Sequence, residues 1–183
     1  MLKIFSLLLI CLIFLSCGQK QEPMAKTKPE PKPAAGFTIQ SPAFQDNERI
    51  PDKFTGIGEN ISPQLNWTNP PAGTKSFALI IDDPDAPRGT FTHWIIFDIP
   101  ANVLSLSEGV ARSEILPDSS RQLANSANRI GYTGPMPPPG KVHHYHFKLF
   151  ALDRRLGEIT QPIEKEMEGH ILGQTMLTGT YER

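Results

Sequence analysis

Asp82, Asp83 and Asp85 stand in one short run, DDPDAPRGTFTHW, which closes on His93 and Trp94. Farther along, HHYHFKLFAL places His143 two residues before Tyr145. Carboxylates, imidazoles and a phenol in this pattern suit three kinds of chemistry. An aspartate can hold a histidine tautomer and favour its protonated form, whose N–H groups then donate to an anion. The same pair can act as a general base in hydrolysis. His93, His143 and Asp83 or Asp85 are also acceptable zinc ligands. The sequence has no G-x-S-x-G elbow, no C-x-x-C and no H-E-x-x-H, the usual companions of nucleophile and metal sites. The pattern therefore reads as the lining of a small ligand site, with no cofactor and no metal expected. A metal-independent hydrolase using an Asp–His pair is the alternative.

Such residues need strands to position them. Short apolar runs separated by Pro, Gly and Asn turns fill the chain from Phe37 onward, a mainly β pattern. SFALIID (76–82), HWIIFDI (93–99), HHYHFKLFAL (143–152) and TMLTGTYE (175–182) read as strands. With side chains alternating along a strand, Phe77, Leu79, Ile81 and Asp83 share a face. So do His93, Ile95, Phe97 and Ile99, and so do His143, Tyr145, Phe147, Leu149 and Ala151. His144, His146 and Lys148 take the opposite, solvated face. Each strand thus carries an apolar face with a polar group at one end. Asp83 and His93 meet at one rim if their strands pair, and His143 joins them if its strand runs parallel to the second. One helix is expected over 160–174, capped by Thr160, with Pro162 in its first turn and Ile163, Met167 and Ile171 repeating every four residues.

The 183 residues carry a formal net charge of −1, with 39% hydrophobic and 20% charged residues. No basic run stands out beyond the N-terminal tail, so nucleic acid is not an expected partner. The N-terminus reads differently from the rest. Ile4 to Ser16 is an apolar run behind Lys3, too short to span a bilayer comfortably, and it reads as a signal-peptide core. Cys17 follows directly. The segment resembles the lipobox of bacterial lipoproteins, with Phe14 where leucine is usual and Leu15 one residue later. That resemblance implies cleavage before Cys17, a lipidated Cys17 and a membrane-anchored protein of the cell envelope. Gly18 after the cysteine resembles outer-membrane sorting where such a membrane exists. Residues 17–36, with Pro23, Pro29, Pro31 and Pro33 and almost nothing apolar, read as an extended tether. The expected organisation is a signal peptide over 1–16, the tether over 17–36 and one domain over 37–183. That domain has no cysteine, so its core must hold it without disulfides.

ISPQLNW, DPDAP, HWIIFDIP, GYTGPMPPPG, HHYHFKLFALD and EGHILGQTMLTGTYER follow one another from Ile61 to the C-terminus. In this order they make the domain resemble the phosphatidylethanolamine-binding protein family, in its bacterial Raf-kinase-inhibitor-like branch. The resemblance implies a Greek-key β-sandwich with one or two short peripheral helices. It also implies a small anion pocket for phosphate-like groups or a phospholipid headgroup, lined by Asp83, Asp85, His93, His143 and Tyr145. Pro87 and the loop around Gly134 are its implied walls, with backbone N–H groups of that loop as further donors. Modulation of a protein partner is implied as well. His144 replaces the family's arginine and Asp98 its asparagine. By alternation both point away from the pocket, and little effect is expected of either.

Overall fold

The computed structural model describes residues 36–183. The expectations for the signal peptide, for Cys17 and for the tether as far as residue 35 lie outside the described residues. Nine strands follow: β1 (Thr38–Gln40), β2 (Glu48–Arg49), β3 (Leu65–Thr68), β4 (Ser76–Asp83), β5 (Phe91–Pro100), β6 (Ser105–Leu106), β7 (Arg121–Leu123), β8 (His143–Leu152) and β9 (Ile171–Tyr181). They form a three-stranded sheet in the order β1-β3-β6 and a six-stranded sheet in the order β2-β9-β8-β4-β5-β7. The molecule is mainly β, as expected. Its helices are single turns: a 3-10 turn over Asp52–Phe54 and an α-helical turn, α1, over Ile163–Glu166.

The two sheets share one core. Leu65 and Trp67 of β3, Phe77, Leu79 and Ile81 of β4, and Phe147 and Leu149 of β8 are among its buried members. Burying a side chain of this size fully contributes about 1.5–3 kcal/mol. β4 is buried along its whole length, because a second cluster covers its other face. Ala78, Ile80, Phe97, Phe150 and Leu152 meet Leu156, Ile163 and Met167 there. The opposite face of β8 is therefore solvated only at its start. His144 is exposed and His146 and Lys148 are partly so, whereas Phe150 and Leu152 are covered.

Two expectations are corrected. The helix over 160–174 is one turn only. Pro162, not Thr160, is its N-cap, and Thr160 instead donates its N–H and hydroxyl to Glu166 Oε1, each at 3.2 Å. Gly169 takes a φ of 81°, which ends the right-handed run. Ile171 then enters β9. The four-residue apolar repeat is real, and all three of its members pack on the outer cluster, but a strand delivers the third.

The alternation expected in β5 is also broken. Leu79 pairs with Ile96 but Phe77 with Ile99. Ile81 pairs with Trp94 but Asp82 with Thr92. At both places β5 holds one residue more than β4. Each such bulge shifts the side-chain phase by one. Trp94 and Ile96 therefore face the main core, and Ile95 and Phe97 face the outer cluster. Asp98 at the first bulge has a φ of 55°. Its buried carboxylate accepts the N–H groups of Leu156 at 2.6 Å and Gly157 at 3.0 Å, fastening the 153–159 loop. His93 is the extra residue at the second.

Candidate functional site

β4 runs antiparallel to both β5 and β8, so β5 and β8 are parallel to each other. This is the orientation that brings the start of β8 to the rim where β4 ends and β5 begins. A cavity of about 330 Å³ opens there, and Asp83, Pro87, His93, Gly134, His143 and Tyr145 all line it. Phe91, Met136, Pro137 and Pro138 make much of its wall apolar.

Asp83 is buried and accepts two hydrogen bonds. Its Oδ1 takes the Asp85 N–H at 2.8 Å, and its Oδ2 meets His143 Nδ1 at 2.7 Å, with His143 itself 3% exposed. The bulge in β5 turns the His93 ring inward between Phe91 and Tyr145, with ring centroids 4.7 and 5.1 Å away. His93 Nδ1 donates to the Thr133 carbonyl at 2.7 Å. Burial holds the His93 ring below the ordinary histidine range, against the opposing pull of the Thr133 carbonyl and of Asp83 and Asp82. The Tyr145 hydroxyl is buried and has no hydrogen-bond partner among the described residues. Burial, then the charges of Asp83 and Asp85, push it far above the usual phenol range, so it stays a donor.

Asp85 is not where the resemblance places it. It does not line the cavity. Its Oδ1 accepts from Lys141 Nζ at 2.9 Å, and its Oδ2 accepts the His144 N–H at 3.0 Å and meets His144 Nδ1 at 2.7 Å. These partners, the His144 ring foremost, hold the Asp85 carboxyl well below the usual carboxylate range. The 84–89 loop is thereby tied to the start of β8, which sets Pro87 as a wall. His144 does lie outside the cavity, yet it is not idle, because it supplies half of this tie. His146 lies outside as well, 3.7 Å from Asp82 Oδ1.

The loop at Gly134 also differs from expectation. Its N–H donates to Asn60 Oδ1 at 2.7 Å and is not open to a ligand. Pro135, Pro137, Pro138 and Pro139 have no N–H to offer. Glycine is required here by close approach: a Cβ would lie 2.4 Å from the Phe54 carbonyl oxygen.

Two contributors were not anticipated. Arg129 lines the cavity mouth with an exposed side chain that bonds none of the described residues. It is the cation that the sequence reading lacked. Asn125, 6% exposed, is the hub beneath it. Its Nδ2 donates to the carbonyls of His93 and Gly131 and to Thr133 Oγ1. Its Oδ1 accepts the N–H groups of Ala127 and Arg129. The run ANSANRIGYTG shows turn residues and nothing more; only spatial proximity marks Asn125 and Arg129. Among the described residues no three His, Cys, Asp or Glu side chains are grouped to hold a metal ion. No helix among them is long and apolar enough to cross a membrane.

A family model described as phosphatidylethanolamine-binding protein matches residues 40–182. A UPF0098 protein of Methanothermobacter thermautotrophicus is 47% identical over 80% of this chain and 99% of its own length. One from Aquifex aeolicus is 43% identical over 79% of this chain and 88% of its own. Among solved structures, a phosphatidylethanolamine-binding protein homologue from Chlamydia trachomatis, CT736, aligns with a TM-score of 0.73 at 34% identity, covering 82% of this chain and 99% of that one. YbcL of E. coli, described as a new member of the mammalian family, aligns at 0.74 with 31% identity, covering 81% and 99%.

Proposed function

The chain belongs to the phosphatidylethanolamine-binding protein family, and on that premise we propose that it is a binding protein whose cavity takes a small phosphate-like anion or headgroup. The observation that carries this reading is the Tyr145 hydroxyl, a buried donor without a partner in a cavity lined by two histidines and Arg129. Buried polar groups are nearly always hydrogen-bonded, and an anionic oxygen is the acceptor that this one lacks. Arg129 supplies the attracting charge. Asp83 keeps its charge, but both of its oxygens are engaged by donors of the protein.

Binding is favoured over turnover by the lining itself. It holds no serine or cysteine, and the one aliphatic hydroxyl, Thr133 Oγ1, is engaged by Asn125 at 2.9 Å. The hydrolase alternative retains the Asp83–His143 pair as a general base. Phosphoester turnover that disappears in His143→Ala would establish it. The lipobox resemblance supports a domain held at the cell envelope by a lipidated Cys17, where one acyl chain would bind only marginally and two or more would hold firmly. From there it would act on a ligand or a protein partner outside the cytoplasm. Mass spectrometry of membrane-extracted protein should find diacylglyceryl-modified Cys17; a soluble form starting elsewhere would end that part of the proposal. For the cavity, calorimetric titration of the full chain with inorganic phosphate is the test. Tyr145→Phe removes one hydroxyl and should weaken binding roughly tenfold or more, the worth of a hydrogen bond to a charged group. Equal affinity in the two proteins would refute the assignment.

A further inference from the structure

Two hydrogen bonds determine which ring nitrogens remain open to a ligand. The Thr133 carbonyl can only accept, so His93 Nδ1 carries the proton across their 2.7 Å contact. The Asp83 carboxylate accepts from His143 Nδ1 in the same way, also at 2.7 Å. In their neutral forms each ring holds that one proton, and Nε2 is left with a lone pair in both. Neither Nε2 bonds any described residue. Burial of His93 works against adding a second proton there. The remaining charged or titratable groups that line the cavity are Asp83, Tyr145 and Arg129; Asp82, Asp85, Lys141 and His144 pair with one another or with other groups outside it.

The cavity therefore offers two acceptors, the two Nε2 atoms, and two donors, the Tyr145 hydroxyl and the Arg129 guanidinium. A fully deprotonated tetrahedral anion brings acceptors alone and leaves both Nε2 atoms facing oxygen lone pairs. Dihydrogen phosphate brings two P–OH donors and two further oxygens. A phosphomonoester monoanion brings one P–OH. We infer that the cavity selects phosphate or a phosphomonoester in its protonated form and discriminates against sulfate and phosphodiesters. Those carry no acidic proton near neutral pH. This rests on the anion-binding reading above and narrows it: an intact phospholipid presents a phosphodiester and is the poorer ligand. A phosphomonoester has its second pKa at about 6, so it must gain a proton as it binds at neutral pH. That costs about tenfold per pH unit above the pKa, while a buried acceptor left unsatisfied costs about five- to 150-fold.

The test uses the full chain and ligands that differ in protons rather than shape. Inorganic phosphate, sulfate, methyl phosphate and dimethyl phosphate are titrated calorimetrically at about pH 7, one unit above that phosphomonoester pKa. Each titration is run in two buffers of different ionisation enthalpy. Phosphate and methyl phosphate should bind about ten- to a hundredfold more tightly than sulfate and dimethyl phosphate, with net proton uptake from the buffer. Sulfate binding as tightly as phosphate, or methyl phosphate binding without proton uptake, would overturn the inference and leave the anion site standing. If none of the four binds, both fall.

Discussion

Replacing Asp83 with asparagine exchanges one acceptor oxygen for an NH2 group where both oxygens are in use. Asp83 takes the Asp85 N–H at 2.8 Å and His143 Nδ1 at 2.7 Å. An amide oxygen can serve only one of these donors. If it stays on His143, the NH2 faces the Asp85 N–H, and a half-buried donor is left unpaired at a cost toward the lower end of about 1–3 kcal/mol, with the two donors set against each other besides. If it turns to Asp85, the NH2 faces His143, and the ring can accept from it by moving its own proton to Nε2. That second arrangement loses only the difference between a charge-assisted and a neutral hydrogen bond, about 1 kcal/mol, so it should win. The cavity then meets an N–H at His143 instead of a lone pair. Sulfate should gain affinity and phosphate should lose it, shifting their ratio by about tenfold or more toward sulfate. Nitrogen-15 NMR of the imidazoles reads the tautomer directly, and the titrations read the ratio. The melting temperature should fall by only a few degrees, at about 2–4 °C per kcal/mol for a domain of this size. If Nδ1 keeps its proton, the affinity ratio is unchanged and melting still falls by no more than a few degrees, the reasoning is refuted. The clash between donors would then have cost nothing.

Three further outcomes are expected. Tyr145→Phe should leave the unliganded protein as stable as before, or more stable by up to about 1 kcal/mol, because it deletes a buried hydroxyl that bonds no described residue; a clear drop in melting temperature would show that the hydroxyl has a partner. Folded His93 takes its proton only below the unfolded value of 6.5, so the unfolded chain binds more protons as pH falls under that value. His93 therefore adds stability that is present above 6.5 and lost as pH falls through its folded value. In thermal melts, His93→Gln should flatten the slope in that window by at most about 1.4 kcal/mol per pH unit. Asp85→Asn or His144→Ala should loosen the 84–89 loop, raising its hydrogen exchange, and weaken phosphate binding while changing global stability by less than about 1 kcal/mol; unchanged exchange in the loop would refute the tie to β8.

β4 and β8 were legible because nothing interrupts their alternation. Phe77, Leu79 and Ile81, and Tyr145, Phe147 and Leu149, face the core as the period of two requires. β5 was not, because a bulge is a choice between pairing registers and leaves little mark in residue type. His93 reaches the cavity by being the extra residue, not by sharing a face with Ile95 and Phe97. The cavity's position could be read from strand ends, since Asp83, His93 and His143 all sit at one. Its charge could not. Arg129 lies on a loop whose path depends on the buried amide of Asn125, and a loop's path follows from tertiary bonds that no short pattern encodes. Asp85 was misplaced for a related reason. Two aspartates one proline apart look equivalent in sequence, but one faces inward and the other meets Lys141 and His144.

The two bulges of β5 have a consequence for changes in chain length. Each inserts one residue, and their effects on side-chain direction cancel beyond the pair: Phe91 before them and Ile99 after them both partner inward residues of β4. Deleting the extra residue itself, His93 at the second bulge, would leave Thr92 on Asp82 and Trp94 on Ile81; the strand would close up with its core residues in frame, and the cavity would lose a ring. A deletion between the bulges, at Ile95 for example, would act as a frameshift acts on a coding message: closing one bulge to absorb it turns Trp94 out of the core, and closing the other turns Ile96 out. The bulges are thus the only slack in this strand's reading frame, and between them point substitution is the open route by which the cavity can be retuned.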